Sequence, residues 1–265
     1  MRWCVKPDSE RETKSGRVPR VSFAYIGSMG LLGSIARWQG EALKIAPPSD
    51  TNLLPVVGGL PGPAFFPEGF GLSESALCQN NRPTIIAIGH NFGCQEYRTE
   101  IQAAGREDDK ATWRNLDSLL VQAGANPSQC FRTNWFVGLL PGGKQTGRFL
   151  RKPNYEYEQA CLFLLVKQIQ MIKPTAILLL GPEVASRAGN LIPALAPWRG
   201  AERWVDIDQS TIGHSVRDVE VPAASIRTNV VALLHPSFGT ANQGRRMKNM
   251  HVPRTEAEIL RAALE

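Results

Sequence analysis

Residues 84–93 read T-I-I-A-I-G-H-N-F-G: a short apolar run, Thr84–Ile88, that stops at Gly89 and turns polar at once. An unalternating apolar run of this length, bounded by glycine, reads as a strand buried on both faces. Three further runs share the pattern: Phe131–Val137 (F-R-T-N-W-F-V), Ala176–Leu180 (A-I-L-L-L, ended by Gly181-Pro182) and residues 228–234 (T-N-V-V-A-L-L, halted by His235-Pro236). Between them lie helical spacings. Trp113, Leu116, Leu119 and Leu120 recur within residues 111–123 and Gly124 is the stop; Tyr157–Ile172 is closed by Lys173-Pro174; another helix starts near Glu183. A last helix begins near Thr255, where T-E-A-E forms a capping box. Strands alternating with helices predict a three-layer α/β/α fold around a central, mostly parallel four-stranded sheet.

Upstream the pattern differs. Residues 1–20 are polar and of mixed charge, and are expected to be loosely attached. Residues 21–46 alternate apolar and small groups around Gly27, Gly30 and Gly33, with a short helix expected over Ile35–Ile45. Residues 47–71 are dense in Pro and Gly, which predicts an irregular wrapped segment. The chain therefore divides into an extension, 1–82, that packs on the core, and a main domain, 83–265.

Composition narrows the class. Of 265 residues, 43% are hydrophobic and 20% charged, ordinary for a globular chain with a sizeable core. No window approaches a membrane span, and the start M-R-W-C-V-K-P-D-S-E lacks the apolar stretch of a secretory signal, so a soluble cytoplasmic protein is expected. Five cysteines, at 4, 78, 94, 130 and 161, include no C-x-x-C pair, which argues against a disulfide framework and a zinc or iron–sulfur signature. The net charge of +6 is compatible with a polyanionic partner. Residues 144–152 (K-Q-T-G-R-F-L-R-K) carry four basic groups and no acid; residues 235–254 carry Arg245, Arg246, Lys248 and Arg254, again without an acid. These are either one phosphate-binding face or two solvated loops, and charge alone does not choose.

In parallel α/β sheets ligand groups gather just beyond the carboxyl ends of the strands. Here those positions hold Gly89-His90-Asn91, Gly181-Pro182 and His235-Pro236-Ser237. His235 is held by its strand and reachable from its loop, or else merely caps the strand. Ser237 can hydrogen-bond a phosphate. Gly89 and Gly93 allow close backbone approach, and Asn91 offers both donor and acceptor. G-H-N-F-G is neither G-x-G-x-x-G nor a Walker loop, so a nucleotide-phosphate loop is a weak alternative. Asn134, inside an apolar run, must find partners: either neighbouring backbone, or a polar ring edge in a pocket.

Taken together in order, G-H-N-F-G, R-T-N-W-F-V-G-L-L-P-G-G, E-Q-A-C-L-F-L-L-V-K-Q-I-Q-M-I-K-P-T-A-I-L-L-L-G and L-L-H-P-S resemble the motifs of the uracil-DNA glycosylase superfamily, across roughly residues 83–246. The resemblance implies an enzyme that flips a nucleotide from DNA and hydrolyses its N-glycosidic bond. In that scheme Asn91 holds the water, Asn134 hydrogen-bonds the Watson–Crick edge, and His235 stabilises charge on the base O2. Gly89, His90, Phe92 and Gly93 would shape the pocket, with Trp113 or Phe92 stacking on the base. Phe238 would fill the vacated stack, while Lys144, Arg148, Ser237, Arg245 and Arg246 would meet the DNA. No metal or organic cofactor is required, and no lysine is placed as a Schiff-base nucleophile, so a monofunctional, monomeric enzyme leaving an abasic site is expected.

The third motif is closest to the iron–sulfur branch, whose cluster needs four cysteines. Only Cys161 falls at a ligand position, so no cluster is expected. Phe92 stands where the family usually has Pro. Asn91 can orient a water but not deprotonate it. Gly93 replaces the Tyr that in the uracil-selective branch walls off the pyrimidine 5-position, which leaves two substrate classes: uracil, or a 5-substituted pyrimidine such as the hypermodified cytosines of phage DNA. A DNA-binding module without catalysis is the third alternative.

Overall fold

The computed structural model describes residues 30–56, 62–66, 69–73, 76–77, 82–104, 111–143, 149, 154–238, 240–250 and 252–265. Ahead of the main sheet come helix α1 (Leu31–Ala42) and a small antiparallel ladder, β1 (Phe65–Phe66) with β2 (Gly69–Phe70). The sheet strands are β3 (Ile85–Gly89), β4 (Cys130–Asn134), β5 (Ala176–Leu180), β6 (Ser215–Val221) and β7 (Ile226–Leu233). Around them pack α2 (Gln95–Ala104), α3 (Ala111–Gln122), α4 (Tyr155–Ile172), α5 (Pro182–Leu191), α6 (Trp204–Asp208), α7 (Thr240–Asn249) and α8 (Glu256–Leu264).

The strand order is β4-β3-β5-β7-β6; the first four run parallel and β6 runs antiparallel to β7. The sheet is thus five-stranded, not four-stranded. The extra strand, S-V-R-D-V-E-V, escapes a sequence reading because it is an edge: of its residues only Val219 and Val221 are buried, and its pairing shifts register at Asp218, which has φ 50°. Its charges also blunt an edge that would otherwise invite another strand.

The absence of alternation in the inner strands has a direct cause, because both faces are covered. On one face Ile86, Ile88, Ile177, Leu179, Val230 and Ala232 join a core with α4, α5 and the segment before residue 73, including Ile35, Trp38 and Phe65. On the other, Ile85, Ala87, Ala176, Leu178, Val231 and Leu233 meet Leu116 and Leu120 of α3 and Ile259 and Leu260 of α8. The N-terminal segment is therefore integral to the core, with Trp38 edge-on to Phe131 of β4 at 5.9 Å between ring centroids. Residues 1–29 of the expected extension lie outside the described residues.

Local signals explain the helix ends. Asn154 caps α4 by accepting from Tyr157 N–H at 3.0 Å, and Lys173 ends it in the left-handed region, φ 50°, before Pro174. Thr255 and Glu258 make the expected capping box of α8. Two expectations are corrected. The strand begun near Phe131 ends at Asn134, and the basic stretch at 235–254 is not a loop throughout but contains α7. That helix, T-A-N-Q-G-R-R-M-K-N, has no apolar stripe to announce it. Among the described residues no helix is long and apolar enough to cross a membrane.

Candidate active site

Register alone aligns the polar groups. Gly89 pairs with Asn134 across β3 and β4, so the last residues of adjacent parallel strands finish level. The chain beyond them stays stitched: Trp135 N–H donates to Gly89 C=O at 2.8 Å, Phe136 N–H to His90 C=O at 2.9 Å, and Leu140 N–H to Gly93 C=O at 2.9 Å. Gly93 sits at φ +90°, a conformation L side chains rarely adopt. A Cβ at Gly89 would collide with Oδ1 of Asn134, so glycine there makes room for the amide. At the other side of the sheet, Gly181 N–H donates to Leu233 C=O at 2.9 Å, tying the ends of β5 and β7.

These ends open on one cavity of about 330 Å³. Nine expected residues line it: His90, Asn91, Phe92, Gly93, Trp113, Asn134, His235, Ser237 and Phe238. Gly89 is buried just behind, against Asn134. Arg245 is exposed on α7 and is not part of the wall. Lys144 and Arg148 lie outside the described residues.

Arg246 is a correction. It is buried, with its guanidinium 2.7 Å from Asp208 Oδ1, 2.7 Å from Glu256 Oε1 and 3.1 Å from the Ala232 carbonyl, and it stacks over Trp204 at 3.9 Å. Two carboxylates hold it inside, so it has no donors to spend on a phosphate. Its role is to hold the His235 turn: Glu256 Oε2 also accepts from Leu234 N–H at 2.9 Å, one residue before His235. Asn115 of α3 adds a bond to the Pro236 carbonyl at 2.8 Å.

The turn defines the state of His235. Nδ1 lies 2.7 Å from Ser237 Oγ and 3.3 Å from Ser237 N, and a backbone N–H can only donate. Nδ1 is therefore the acceptor, and in the neutral ring the proton sits on Nε2. Burial, with a smaller push from His90, lowers the imidazole to about 4, so the ring is neutral at pH 7 and acts as a hydrogen-bond donor rather than as a cation.

Asn91 is oriented in the same way. Its Nδ2 donates to Gly93 C=O at 2.9 Å, which leaves Oδ1 facing His90 Nδ1 at 3.1 Å. The His90 ring stands edge-on between Phe136 (5.3 Å) and Phe149 (5.6 Å), which fixes its plane. Asn134 differs: among the described residues no hydrogen bond of its side chain is found, so its amide is available to a ligand. Asn134 therefore faces the cavity with no backbone partner among the described residues. Trp113 borders the cavity with a buried Nε1–H that finds no partner among the described residues, and the Arg132 guanidinium lies 5.7 Å from its ring.

Among the lining residues that the sequence reading did not name for the site are Tyr97 of α2 and Glu183 of α5. Tyr97 matters at Gly93: a Cβ placed there would stand 3.2 Å from Tyr97 Cδ1, so the space beside this glycine is bounded by a phenol ring from the next helix. Glu183 follows G-P at a strand end, and that position was a legible signal. Cys161 is buried, its Sγ accepts from Val137 N–H at 3.4 Å, and burial pushes its thiol up to about 11; among the described residues no group of three or more His, Cys, Asp or Glu is gathered as ligands. No protein-family model matches the chain, and no curated protein does.

Proposed function

We propose that this protein is a monofunctional DNA glycosylase of the uracil-DNA glycosylase superfamily, hydrolysing the N-glycosidic bond of a flipped-out pyrimidine. The observation that carries the proposal is the convergence of Asn91, Asn134 and His235 from three parallel strand ends on one cavity. A pocket of about 330 Å³ is at the small end of ligand sites, suited to a nucleoside rather than to a larger cofactor.

The chemistry follows from those three groups. Asn134, with its amide unspent, reads the donor–acceptor edge of the base. His235 Nε2–H donates to the oxygen on which charge develops as the bond breaks, and a neutral donor fixed by Ser237 needs no reorganisation at that moment. Asn91, locked by Gly93 and His90, offers its remaining acceptor lone pair to a water. Phe238, 38% exposed beside the imidazole, stands where a wedge could fill the vacated stack, and exposed Arg245 supplies donors for a phosphate, whereas the Ser237 hydroxyl proton is spent on His235 Nδ1. Uracil is favoured over a pyrimidine with a bulky 5-substituent because Tyr97 bounds the space beside Gly93.

The test is incubation of the purified protein with end-labelled DNA carrying uracil, 5-hydroxymethylcytosine or glucosylated hydroxymethylcytosine, followed by alkali. Strand breaks at the uracil, lost in Asn91→Ala and His235→Ala, are the expected result. Breaks at the modified cytosines alone would transfer the proposal to the 5-substituted class. Binding without breaks on every substrate would make the protein a binding module and end the enzymatic proposal.

A further inference from the structure

Along the sheet, the strand ends follow the order Asn134 on β4, His90-Asn91 after β3, Glu183 after β5 and His235 after β7. The proposed reaction gives roles to the first, second and fourth of these positions and none to the third. Yet β5 lies between the strand that places the water-holding amide and, through β7, the imidazole. Among the described residues that line the cavity, Glu183 is the one acid.

Its geometry divides the carboxylate into two halves. Oε1 is engaged, 3.0 Å from His90 Nε2 and 3.3 Å from Arg187 Nη2. The same imidazole meets Asn91 through Nδ1, so a chain runs from the Glu183 carboxylate through His90 to the Asn91 amide. Arg187 is itself anchored to Glu158 of α4 at 3.0 Å and lies over the Phe136 ring at 4.4 Å, so the engaged side is braced by two elements. Among the described residues Oε2 has no such partner, and the Glu183 side chain is 46% exposed. Burial works against the charge on Glu183, but His90 and Arg187 together outweigh it and hold the carboxyl below its ordinary range. Its place in the first turn of α5, near the positive end of the helix dipole, acts in the same direction.

This matters because an Asn orients water but cannot take a proton from it. We infer that Glu183 is a further catalytic residue of the proposed glycosylase, the carboxylate that accepts the proton of the water held by Asn91. The inference rests on the glycosylase reading. In the step, the C1′–N bond breaks and its electron pair leaves with the base, whose oxygen accepts from His235 Nε2–H. The water oxygen bonds to C1′, and its proton passes to Oε2 of Glu183. From there it reaches the departing base anion through solvent, so the products are a neutral base and an abasic sugar, and the carboxylate is regenerated. An anion braced at one oxygen is a weak base, but a weak base suffices for water attacking a sugar that is already cationic.

The experiment uses single-turnover cleavage, at saturating protein, of whichever labelled DNA the wild-type protein cuts. Glu183→Gln keeps the shape and leaves an amide oxygen for His90 and Arg187; its rate is expected to fall about 100-fold, within the range of a lost general base, while DNA affinity is unchanged. Glu183→Ala opens the space, and added formate is expected to restore its rate at least about tenfold. The inference is overturned if Glu183→Gln cleaves within about threefold of wild type, or if formate leaves Glu183→Ala unchanged, since a bracing carboxylate would not be replaced by a free one. If the wild-type protein cuts none of the substrates, the glycosylase reading itself fails, and the role of Glu183 with it. If it cuts and Glu183→Gln cuts as well, only the role of Glu183 falls.

Discussion

The turn at 235–238 and the helix at 240–249 are close in the chain, share one acid-free stretch, and are used in opposite ways. The turn faces the cavity with His235, Ser237 and Phe238, its polar atoms bonded mostly to each other. The helix sends one of its charges inward: Arg246 is 2% exposed between Asp208 and Glu256, while Arg245 beside it and Lys248 are exposed. Successive residues on a helix point about 100° apart, so neighbouring arginines cannot share one face. The difference teaches that a basic run counts charges without saying where they point. Here one arginine reaches solvent and the next forms the brace that holds the His235 turn in place.

The comparison breaks most easily at the brace. Arg246→Ala leaves two buried carboxylates facing each other without their cation, and removing one partner of a buried ion network costs about 3–5 kcal/mol. Urea unfolding should show that loss, whereas Arg245→Ala should stay within about 0.5 kcal/mol of wild type. Equal midpoints for the two variants would mean that the buried network holds nothing together.

The turn is tested by chemistry rather than by stability. His235→Ala removes one preorganised donor, and cleavage of uracil-containing DNA should fall about 100- to 1000-fold, or ~3–4 kcal/mol, in single-turnover assays. Its thermal midpoint at pH 7 should match wild type, because the Leu234 and Pro236 anchors are backbone groups that the substitution leaves in place. A variant that keeps its rate would remove His235 from the reaction.

This contrast also marks what was legible in the sequence. Strands covered on both faces leave an unbroken apolar record, so β3, β5 and β7 and the residues just past them, Asn91 and His235 among them, are readable from the chain. Asn134 is readable as an anomaly within such a run, though its direction is not. Polar residues on helices look like ordinary surface, which hides Tyr97 until α2 is folded against the cavity, whereas Glu183 is marked by its place just past the strand end at Gly181-Pro182. Arg246 is hidden for a different reason: its partners Asp208 and Glu256 lie 38 and 10 residues away, a distance that no local pattern records. The edge strand β6 and helix α7 lack an apolar periodicity of their own and take their form from what they pack against.

The state of His235 offers a finer test of how enclosed the turn is. Its folded value of about 4 lies below the ordinary 6.5. Between those values the unfolded chain binds a proton that the folded one refuses, so stability rises with pH across this window. It is complete above about 6.5 and lost as pH falls toward 4. At pH 5 the cost is at most about 2 kcal/mol, and less to the extent that solvent reaches the ring. Thermal melts at pH 7 and pH 5 should therefore show His235→Ala gaining on wild type in acid. His214, also lowered by burial, is present in both proteins and cancels from the difference. An unchanged gap between the two melts would place the imidazole in solvent.

The smallest effect belongs to Arg245, the exposed member of the pair. If it meets a phosphate, its loss should weaken binding to every DNA sequence alike, by less than about 1 kcal/mol at moderate salt. It should also make the slope of log affinity against log salt shallower by about 0.9, the signature of one fewer neutralised phosphate. Arg246→Met, which removes a charge already enclosed by Asp208 and Glu256, should leave that slope at its wild-type value, whatever it does to stability. Titrations of labelled duplex at several salt concentrations separate the two cases. A shallower slope in Arg246→Met with none in Arg245→Ala would reverse the assignment of the two arginines, because a counterion is released only by a charge that reaches the DNA.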